Sequence, residues 1–386
     1  MTAATKMSED ELWAQVGEAQ RGLLEANHFD VAQFLGLRRA YLSGELSAAR
    51  NRLDGVVEVP SAQDMRVLPA RDSAAGRAFV ALGEAAISRG EVGSLVLNGG
   101  MATRFGGVVK GCVEVFDKLS FLALKARDVA RYGRAGRMLL MNSFATADKS
   151  AGHLRAHAYF GLRPEQLISF NQSISLRLAP QGELFREDDA RQHVSLYAPG
   201  HGDLQTALWR GALAEFRRSG GKYLMMSNVD NMLATLDPLV VGMHVDASSS
   251  RGVQMSVEAV HKKPGQVGGF IARVNGMPQI VEHFRLPDPS LKEELKWLNT
   301  NTFLFDAKAL EKKADLTWFV VEKAVNARPA FQFERLAGEL SAVLRTEILQ
   351  VPSTGDASRF EPVKRREDLE KNRARLKTLM ARRGII

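Results

Sequence analysis

The sequence predicts a soluble α/β fold built on a mixed, mainly parallel sheet. Short apolar runs alternate with helical segments from about residue 90 onward, and this alternation is typical of parallel strands joined by crossover helices. Residues 270–284 depart from the rhythm, because Asn275-Gly276 lies between two alternating runs and indicates a hairpin. The composition, 45% hydrophobic and 25% charged over 386 residues, is that of a globular protein with ample material for a core.

Each element can be justified from its local pattern, starting with helices over residues 7–50. Ser8 and Glu11 have the spacing of a capping box, and Trp13, Val16 and Leu23 are expected to share one apolar face. A further helix is predicted near residues 73–89, and another over 203–220 that Asp203 is expected to cap. The apolar runs between them predict strands within residues 94–97, 136–143, 166–172, 222–230 and 253–260.

The net charge of +8 is concentrated at the C-terminus. Residues 362–386 contain nine Lys or Arg against three Asp or Glu, which accounts for +6 of the total. No aromatic residue follows Phe360, whereas nucleic-acid surfaces interleave cations with aromatic stacking partners. We therefore expect no nucleic-acid binding, and we interpret the tail as an amphipathic helix that buries Leu369, Leu376 and Met380.

The chain lacks the signals of export or membrane insertion. Its first residues show no basic region followed by an apolar stretch, and no segment approaches the roughly 18 to 20 apolar residues that span a bilayer. Cys112 is the single cysteine, which excludes an internal disulfide and a cysteine-based zinc site. A cytoplasmic protein without a membrane partner is the expectation.

His153 and His157 raise the question of a zinc hydrolase, since they are spaced to share one face of a helix. The glutamate that should follow the first histidine is missing, and no third ligand is evident. An exposed helix face is the favoured interpretation.

The first stretch that carries chemistry is the glycine-rich loop after residue 97. It contains four glycines together with Arg104 and Lys110. In open sheets, ligands bind at the carboxyl ends of strands, and glycines there let backbone N–H groups approach a phosphate that the two cations can neutralise. The spacing matches neither the dinucleotide fingerprint nor the P-loop, so a purely structural loop stays open as an alternative.

Two further strand or loop ends carry polar residues. Asp230 follows a predicted strand and can hold a Mg²⁺ whose other ligands are phosphate oxygens and water; the alternative is a turn or helix cap made by Asn228 or Asp230. His201 lies between Gly200 and Gly202, which leaves its backbone free to lie against a planar ligand. A solvated loop histidine is the alternative there.

Taken in order, these motifs resemble the UDP-sugar pyrophosphorylase family, and specifically its UTP–glucose-1-phosphate uridylyltransferase members. The blocks are "LNGGMATRFGG" with Lys110, then "MNSF", "FNQS", "PGHGD", "SNVDN", "LNTNTFLFDAKAL" and "SRFEPVK", extending from about Gly93 to Asp368. Two positions depart from the family pattern: Ala102 replaces a usual glycine, and Val109 replaces the proline before the lysine. Arg104 is closer to the UDP-N-acetylhexosamine branch, so the sugar stays open.

The resemblance implies a GT-A-like nucleotidyltransferase fold, with a Rossmann-like mixed sheet, N-terminal helices and a short helical C-terminal tail. It further suggests an N-terminal helical region over 1–90, a catalytic domain over 91–350, and a C-terminal segment over 351–386 with a phosphate-binding lysine and a basic helix. The C-terminal β-helix of many relatives is not expected. A monomer or small homo-oligomer is the corresponding expectation.

The implied activity is reversible, Mg²⁺-dependent uridylyl transfer from UTP to glucose 1-phosphate, giving UDP-glucose and pyrophosphate. The sugar phosphate would attack the α-phosphorus directly, so weak dependence on any histidine titrating near neutrality is expected. N-acetylglucosamine 1-phosphate or galactose 1-phosphate could replace glucose 1-phosphate. A nucleotide-sugar-binding protein without turnover is the alternative from another class.

The resemblance also implies roles for residues at matching positions. The phosphates would be contacted by Arg104, Lys110 and Lys364. The nucleotide would be bound by Asn98, Gly99, Gly100, Met141, Gln172, Gly200 and Gly202, with Gln172 on the uracil edge. The sugar would face His201, Asn228, Glu282 and Asn301. The Mg²⁺ ligand would be Asp230.

Overall fold

A computed structural model describes residues 7–102, 107–188 and 193–386. Within these ranges the α-helices are α1 (Glu9–Ala14), α2 (Glu18–Ala26), α3 (Val31–Leu42), α4 (Ala74–Ser88), α5 (Phe121–Ala130), α6 (Ala147–Ala156), α7 (Leu204–Trp209), α8 (Ala212–Arg218), α9 (Pro238–Arg251), α10 (Leu291–Glu294), α11 (Leu340–Val343) and α12 (Arg366–Arg382).

The strands of the same ranges are β1 (Val57–Glu58), β2 (Met65–Val67), β3 (Val92–Leu97), β4 (Met101–Ala102), β5 (Val108–Val109), β6 (Glu114–Phe116), β7 (Leu119–Ser120), β8 (Arg137–Asn142), β9 (Leu167–Asn171), β10 (Ser175–Leu176), β11 (Arg186–Asp188), β12 (His193–Val194), β13 (Leu196–Tyr197), β14 (Tyr223–Asn228), β15 (Met255–His261), β16 (Gly269–Val274), β17 (Met277–Glu282), β18 (Trp297–Asp306), β19 (Phe319–Val325), β20 (Arg328–Glu334) and β21 (Thr346–Gln350).

The local signals of the sequence are confirmed at several elements. The five predicted strands correspond to β3, β8, β9, β14 and β15. Asn275 and Gly276 join β16 to β17 with φ angles of 49° and 83°, the two positive φ values that a type I′ hairpin turn requires. The capping box also forms, since Glu11 N–H donates to Ser8 Oγ at 3.2 Å and Ser8 N–H donates to Glu11 Oε2 at 2.7 Å.

Two predicted helical patterns are interrupted at glycines. Gly17 separates α1 from α2 and shifts the buried face, so Leu24 is fully buried whereas Leu23 is 36% exposed. The expected face shared by Trp13, Val16 and Leu23 is therefore wrong at Leu23. The helix predicted over 203–220 is divided into α7 and α8, because Gly211 has a φ of 123° that no helix residue adopts.

The central sheet is mixed, with the strand order β2-β21-β15-β18-β14-β3-β8-β9. All neighbours on this path are parallel except those of β18, which is antiparallel to both β14 and β15. The portion β9-β8-β3-β14 has the order of a Rossmann fold. The chain leaves β3 toward β8 on one side and β14 lies on the other, so the ends of β3 and β14 form a topological switch point.

Helices cover both faces of this sheet. The apolar side chains of β3 alternate: Val96 packs on one face with α5, α9 and α12, whereas Leu95 and Leu97 pack on the other with α7 and α8. Among the residues of the tail, Leu369, Leu376 and Met380 are buried against the first face, as the sequence predicts. A third apolar cluster joins the N-terminal helices to residues near β10 and β20.

None of the helices in the described ranges combines the length and the apolar composition that crossing a bilayer requires.

Candidate active site

A cavity of about 410 Å³ opens at the carboxyl ends of β3, β8, β9 and β14. This is the switch point of the sheet, where open α/β folds place their ligands. Nine of the residues that the resemblance assigns to substrates or metal line it. The lining residues are Leu97, Gly99, Gly100, Lys110, Met141, Gln172, Ala198, Gly200, His201, Asn228, Val229 and Asp230.

Asn98 fixes the start of the glycine-rich loop. Its N–H donates to the carbonyl of Met141 at 2.8 Å, which ties the end of β3 to the end of β8. Its buried side-chain amide donates to Asn142 Oδ1 and to Ser150 Oγ, both at 2.7 Å. The side chain thus serves the loop's own architecture, while Gly99 and Gly100 line the cavity. Arg104 lies outside the described residues.

Gln172 presents an amide group beside Gly99. The N–H of Gln172 donates to the carbonyl of Asn142 at 2.9 Å, which anchors the residue just after β9. A Cβ added at Gly99 would lie 1.9 Å from Gln172 Nε2, so only glycine leaves room for this side chain. Among the described residues, Gln172 Oε1 is buried with no hydrogen-bond partner. An acceptor held in this state fits the imide N–H of a uracil ring.

The segment 200–202 is held against the chain that follows β20. Gly202 N–H donates to the carbonyl of Arg335 at 2.9 Å, and a Cβ at Gly202 would lie 2.3 Å from the carbonyl carbon of Arg335. Gly202 is buried there and is not a lining residue of the cavity. Gly200 has a φ of 85° and does line it. The first glycine therefore shapes the cavity, and the second permits the close packing behind it.

His201 is held in one tautomer by this packing. Its Nδ1 accepts a hydrogen bond from Ala337 N–H at 3.0 Å, so in the neutral ring the proton resides on Nε2. Burial lowers the pKa of His201 below its ordinary value, against a smaller opposing effect of Glu334. The ring is therefore a neutral hydrogen-bond donor at physiological pH.

Asp203 does not cap the helix that follows it, contrary to the expectation from sequence. Its Oδ2 accepts from Ser173 N–H at 2.6 Å, and its Oδ1 accepts from the Arg335 guanidinium at 2.5 Å. The carboxylate is fully buried, and a hydrogen-bonded ion pair satisfies it better than one helix amide would. Asp203 thus joins the loop after β9 to the chain after β20, behind the cavity.

Asn228, at the end of β14, meets Asn301, in the middle of the antiparallel neighbour β18. Asn301 Nδ2 donates to Asn228 Oδ1 at 2.9 Å. Asn301 has a φ of 55°, the left-handed region, and lies where the register between β15 and β18 shifts. A bulge of this kind re-aims a side chain. It brings Asn301 to Asn228, which lines the cavity, although Asn301 itself is not a lining residue.

Glu282 ends β17 and is half-buried. A Cβ at Gly269 would lie 2.7 Å from Glu282 Oε1, so the carboxylate lies over the backbone of the neighbouring strand. Burial raises the pKa of Glu282 to about 7, and Arg285 opposes the rise. Glu282 is not a lining residue of the cavity.

Asp230 and Lys110 form an ion pair inside the cavity. Lys110 Nζ donates to Asp230 Oδ2, whereas Asp230 Oδ1 is buried with no hydrogen-bond partner within the described ranges. One carboxylate oxygen is therefore available for a divalent cation. No group of three or more His, Cys, Asp or Glu in those ranges is arranged to hold a metal. Mg²⁺ needs no such group, since one or two carboxylates, phosphate oxygens and water commonly complete its shell.

Lys364 is placed next to this aspartate by the backbone. Val363 N–H donates to the carbonyl of Asp230 at 3.2 Å, and Asn231 forms a bridge with Pro362. The side chain of Lys364 is exposed, and its N–H donates to Asp368 Oδ2 at 3.0 Å at the start of α12. The backbone thus holds Lys364 close to Asp230 in the fold, although Lys364 is not a lining residue of the cavity.

Three lining residues were absent from the sequence-based prediction: Leu97, Ala198 and Val229. Each adjoins a predicted site residue or lies two positions from one, so the motifs themselves were the available signal.

His153 and His157, the pair considered for zinc, make local contacts instead. Ser120 Oγ is hydrogen-bonded to His153 Nε2 at 2.8 Å, and His157 Nδ1 is 2.9 Å from the carbonyl of His153.

The sequence of the chain is similar to those of known proteins. A family model described as UTP–glucose-1-phosphate uridylyltransferase matches residues 82–382. UTP–glucose-1-phosphate uridylyltransferase 2 of Dictyostelium discoideum is 28% identical over 300 residues, covering 71% of this chain and 57% of that protein. UDP-N-acetylglucosamine pyrophosphorylase of Saccharomyces cerevisiae is 30% identical over 215 residues, covering 52% and 44%. The chain thus spans about half the length of these curated relatives.

Solved structures share the fold. The UDP-N-acetylglucosamine pyrophosphorylase of Trypanosoma brucei superposes with a TM-score of 0.73 at 21% identity, covering 97% of this chain and 82% of that chain. A UDP-glucose pyrophosphorylase mutant from Leishmania major superposes with a TM-score of 0.68 at 22% identity, covering 96% and 78%. At these identities the similarity establishes the nucleotidyltransferase-like fold.

Proposed function

Because the chain belongs to the UTP–glucose-1-phosphate uridylyltransferase family, we propose that it transfers the uridylyl group of UTP to glucose 1-phosphate. The products are UDP-glucose and pyrophosphate, and the reaction is reversible. The observation that carries the proposal is one cavity at the sheet's switch point, lined both by Gln172, whose amide oxygen has no partner among the described residues, and by the Lys110–Asp230 ion pair.

The reaction needs positioning and electrostatics more than covalent chemistry. An oxygen of the sugar phosphate forms a bond to the α-phosphorus of UTP, and the bond from that phosphorus to the bridging oxygen of pyrophosphate breaks. The attacking phosphate is already ionised, so no general base is required. Such a step gains from bringing two anions together in line and from stabilising charge on the leaving group.

Different residues would bind the uracil base and the phosphates of UTP. Gln172 and Gly99 would select the uracil, with Met141 and Gly200 packing on the nucleotide. Asn98 and Gly100 would shape the backbone that approaches the phosphates, with Gly202 supporting Gly200 from behind.

The cationic side chains act on the phosphates. Lys110 would leave Asp230 to contact the triphosphate, and Arg104 is proposed for the same group. Lys364 would bind the phosphate of the sugar substrate, next to Asp230. Asp230 would hold Mg²⁺, which when bound neutralises phosphate charge and polarises the reacting phosphoryl group. The free oxygen of Asp230 supports this assignment.

The sugar would be recognised by hydrogen-bond donors and acceptors. The Asn301–Asn228 pair, His201 and Glu282 are the proposed partners of its hydroxyl groups. His201 would donate from Nε2, because Nδ1 is engaged by Ala337. A donor that stays neutral agrees with a reaction that needs no histidine titration.

A second sugar substrate is supported by one specific observation. The yeast relative that is 30% identical is a UDP-N-acetylglucosamine pyrophosphorylase, so N-acetylglucosamine 1-phosphate is the second candidate acceptor, and galactose 1-phosphate is a third with the same chemistry. The test is a matrix of the four nucleoside triphosphates against these three sugar 1-phosphates with Mg²⁺, with released pyrophosphate as readout. We expect the highest kcat/KM for UTP with glucose 1-phosphate. If the protein binds nucleotides but turns over none of the combinations of triphosphate and sugar 1-phosphate, it is instead a nucleotide-sugar-binding protein.

A further inference from the structure

A buried lysine lies beneath the segment that carries Asp230. Lys125 belongs to α5, and only 2% of its surface is exposed. Its ammonium group donates three hydrogen bonds: to Ser227 Oγ at 2.9 Å, to the carbonyl of Asn231 at 2.8 Å and to the carbonyl of Ala234 at 2.7 Å. An ammonium ion has three donors, so all of them are satisfied.

The three acceptors come from one short stretch of chain. Ser227 is the next-to-last residue of β14, whereas Asn231 and Ala234 lie in the turn that follows it. Asp230 falls between these acceptors. The ammonium group therefore links the end of the strand to the turn, because one nitrogen atom is hydrogen-bonded to both ends of the segment 227–234.

The opposite side of this segment is held by the C-terminal chain. Val363 N–H donates to the carbonyl of Asp230 at 3.2 Å, and Asn231 Nδ2 donates to the carbonyl of Arg359 at 3.1 Å. Arg359 in turn donates to Glu258 Oε1 at 2.6 Å in a buried ion pair. The segment is thus clamped between α5 and the residues that precede Lys364.

The charge of Lys125 persists in this environment. Burial lowers the pKa of Lys125 to about 8, and the carboxylates of Asp128 and Asp230 oppose the shift. The side chain is therefore mainly protonated at pH 7. A neutral apolar side chain would leave Ser227 Oγ and the carbonyl of Ala234 without this donor, and the carbonyl of Asn231 would keep only the N–H of Ala234 at 3.3 Å. Because the site is buried, this loss costs more than the same exchange at an exposed position.

We propose that Lys125 is a positioning residue for uridylyl transfer, because it fixes the segment 227–234 so that the carboxylate of Asp230 is presented to the divalent cation. The inference rests on the proposed function for its catalytic consequence. Lys125 itself contacts neither substrate nor metal in this assignment. Its effect reaches the reaction only through the geometry of Asp230.

The test compares Lys125→Met with Leu124→Ala. Methionine keeps the unbranched shape and most of the length of the side chain but removes the three donors. Leu124 lies in the same helix and in the apolar core, and its truncation destabilises the fold without removing a hydrogen bond to the segment. Ser227→Ala, which removes one acceptor of the ammonium group, is the milder second variant and carries the test should Lys125→Met fail to fold.

The readouts separate nucleotide binding from the contribution of the metal. UDP binding in EDTA reports on the metal-free contacts to the nucleotide, and the gain in UDP affinity on adding Mn²⁺ reports on Asp230. We expect Lys125→Met to leave metal-free UDP affinity unchanged and to lower the Mn²⁺-dependent gain by about 10- to 100-fold, as loss of an outer-shell contact does. Hydrogen exchange of the amides in 228–235 is expected to accelerate in this variant, whereas Leu124→Ala should alter neither readout beyond its global destabilisation.

Each outcome is decisive. A Mn²⁺-dependent gain in Lys125→Met and Ser227→Ala equal to that of the wild type, or a loss matched by Leu124→Ala, would overturn the positioning role. Failure of the proposed function is distinguishable, because it would show as absent turnover in the wild-type substrate matrix while the binding and exchange differences among these variants persist.

Discussion

Lys110 Nζ donates a hydrogen bond to Asp230 Oδ2, and the pair spans the cavity from the glycine-rich loop to the end of β14. The two side chains are only 17% and 16% exposed, so the charges are weakly screened. A divalent cation on the free oxygen of Asp230 would weaken the hold of the carboxylate on Lys110. Binding of the metal and transfer of the lysine to a phosphate are therefore expected to be coupled.

Removing the charge of Asp230 should remove the metal dependence. Asp230→Asn keeps the size of the side chain but lacks the anionic ligand, so we expect kcat with Mg²⁺ to fall by about 10²-fold or more. Far-UV circular dichroism should be unchanged. Asp315→Asn, at a carboxylate that is 91% exposed, is the control. Turnover of Asp230→Asn equal to that of the control in the pyrophosphate assay would rule out the metal role.

The contact between Gly99 and Gln172 should set nucleotide selectivity. Gly99→Ala places a methyl group where Gln172 Nε2 lies, so it should displace the amide and lower the preference for UTP over the other triphosphates by roughly 5- to 10-fold, about the worth of one hydrogen bond. Gln172→Ala should give the same phenotype. Gly100→Ala is the matched control, because nothing lies within 4 Å of its added Cβ. Competition among the four nucleotides measures the effect, and equal selectivity in both glycine variants would contradict it.

Glu282 should give the reaction a dependence on pH near neutrality. Its pKa of about 7 means that the carboxylate forms as the pH rises through that value, and an ionised carboxylate accepts hydrogen bonds from sugar hydroxyls more strongly. We expect the KM for glucose 1-phosphate to fall between about pH 6 and pH 8. In the Glu282→Gln variant, the only pH dependence of KM that should remain is the one caused by ionisation of the substrate itself.

The raised pKa of Glu282 also predicts how the stability of the fold depends on pH. A carboxyl group whose pKa is raised on folding binds its proton more tightly in the folded state, so its contribution to stability is lost as the pH rises from its ordinary value toward 7. Glu282→Gln should therefore raise the Tm relative to wild type at about pH 8 more than at about pH 5. A constant Tm difference would show that Glu282 is not perturbed. Burial lowers the pKa of His201, so this residue should add no inflection to the pH dependence of Tm above its ordinary pKa.

Asn301 should separate backbone strain from sugar recognition. Asn301→Gly relieves the positive φ, whereas Asn301→Ala keeps it without a polar side chain, so the alanine variant should be less stable than the glycine variant by about 1 to 2 kcal/mol. Both lose the hydrogen bond to Asn228 and should raise the KM for glucose 1-phosphate similarly. Urea unfolding and initial rates measure the two effects. A normal KM in the glycine variant would remove Asn301 from sugar binding.

Lys364 should act on the sugar phosphate rather than on UTP. Lys364→Ala removes a charge-assisted contact, which should raise the KM for glucose 1-phosphate by about 10- to 100-fold while the KM for UTP changes little. Lys371→Ala, an exposed lysine in α12, is the control for loss of a positive charge in the same segment. Equal increases in both KM values would contradict the assignment.

Much of this protein was determined by short-range sequence pattern. Apolar runs predicted β3, β8, β9, β14 and β15, and the Asn275-Gly276 hairpin and the Ser8–Glu11 cap followed from residues a few positions apart. The strand-end motifs also predicted which residues would meet, because parallel strands end at one edge of a sheet. Residues as distant as Lys110, Gln172 and Asp230 therefore line one cavity, as their motifs suggested.

Only the tertiary structure decided the partners of the buried polar groups. Asp203 has the position of a helix cap but binds Ser173 and Arg335 instead. Asn301 reaches Asn228 through a bulge in β18, and Lys125 looks like any helix lysine until its three acceptors are known. Periodicity reports whether a residue is buried, because burial follows from the local helix or strand. It carries no information about which hydrogen-bond partner, 30 to 132 residues away, satisfies that residue once water is excluded.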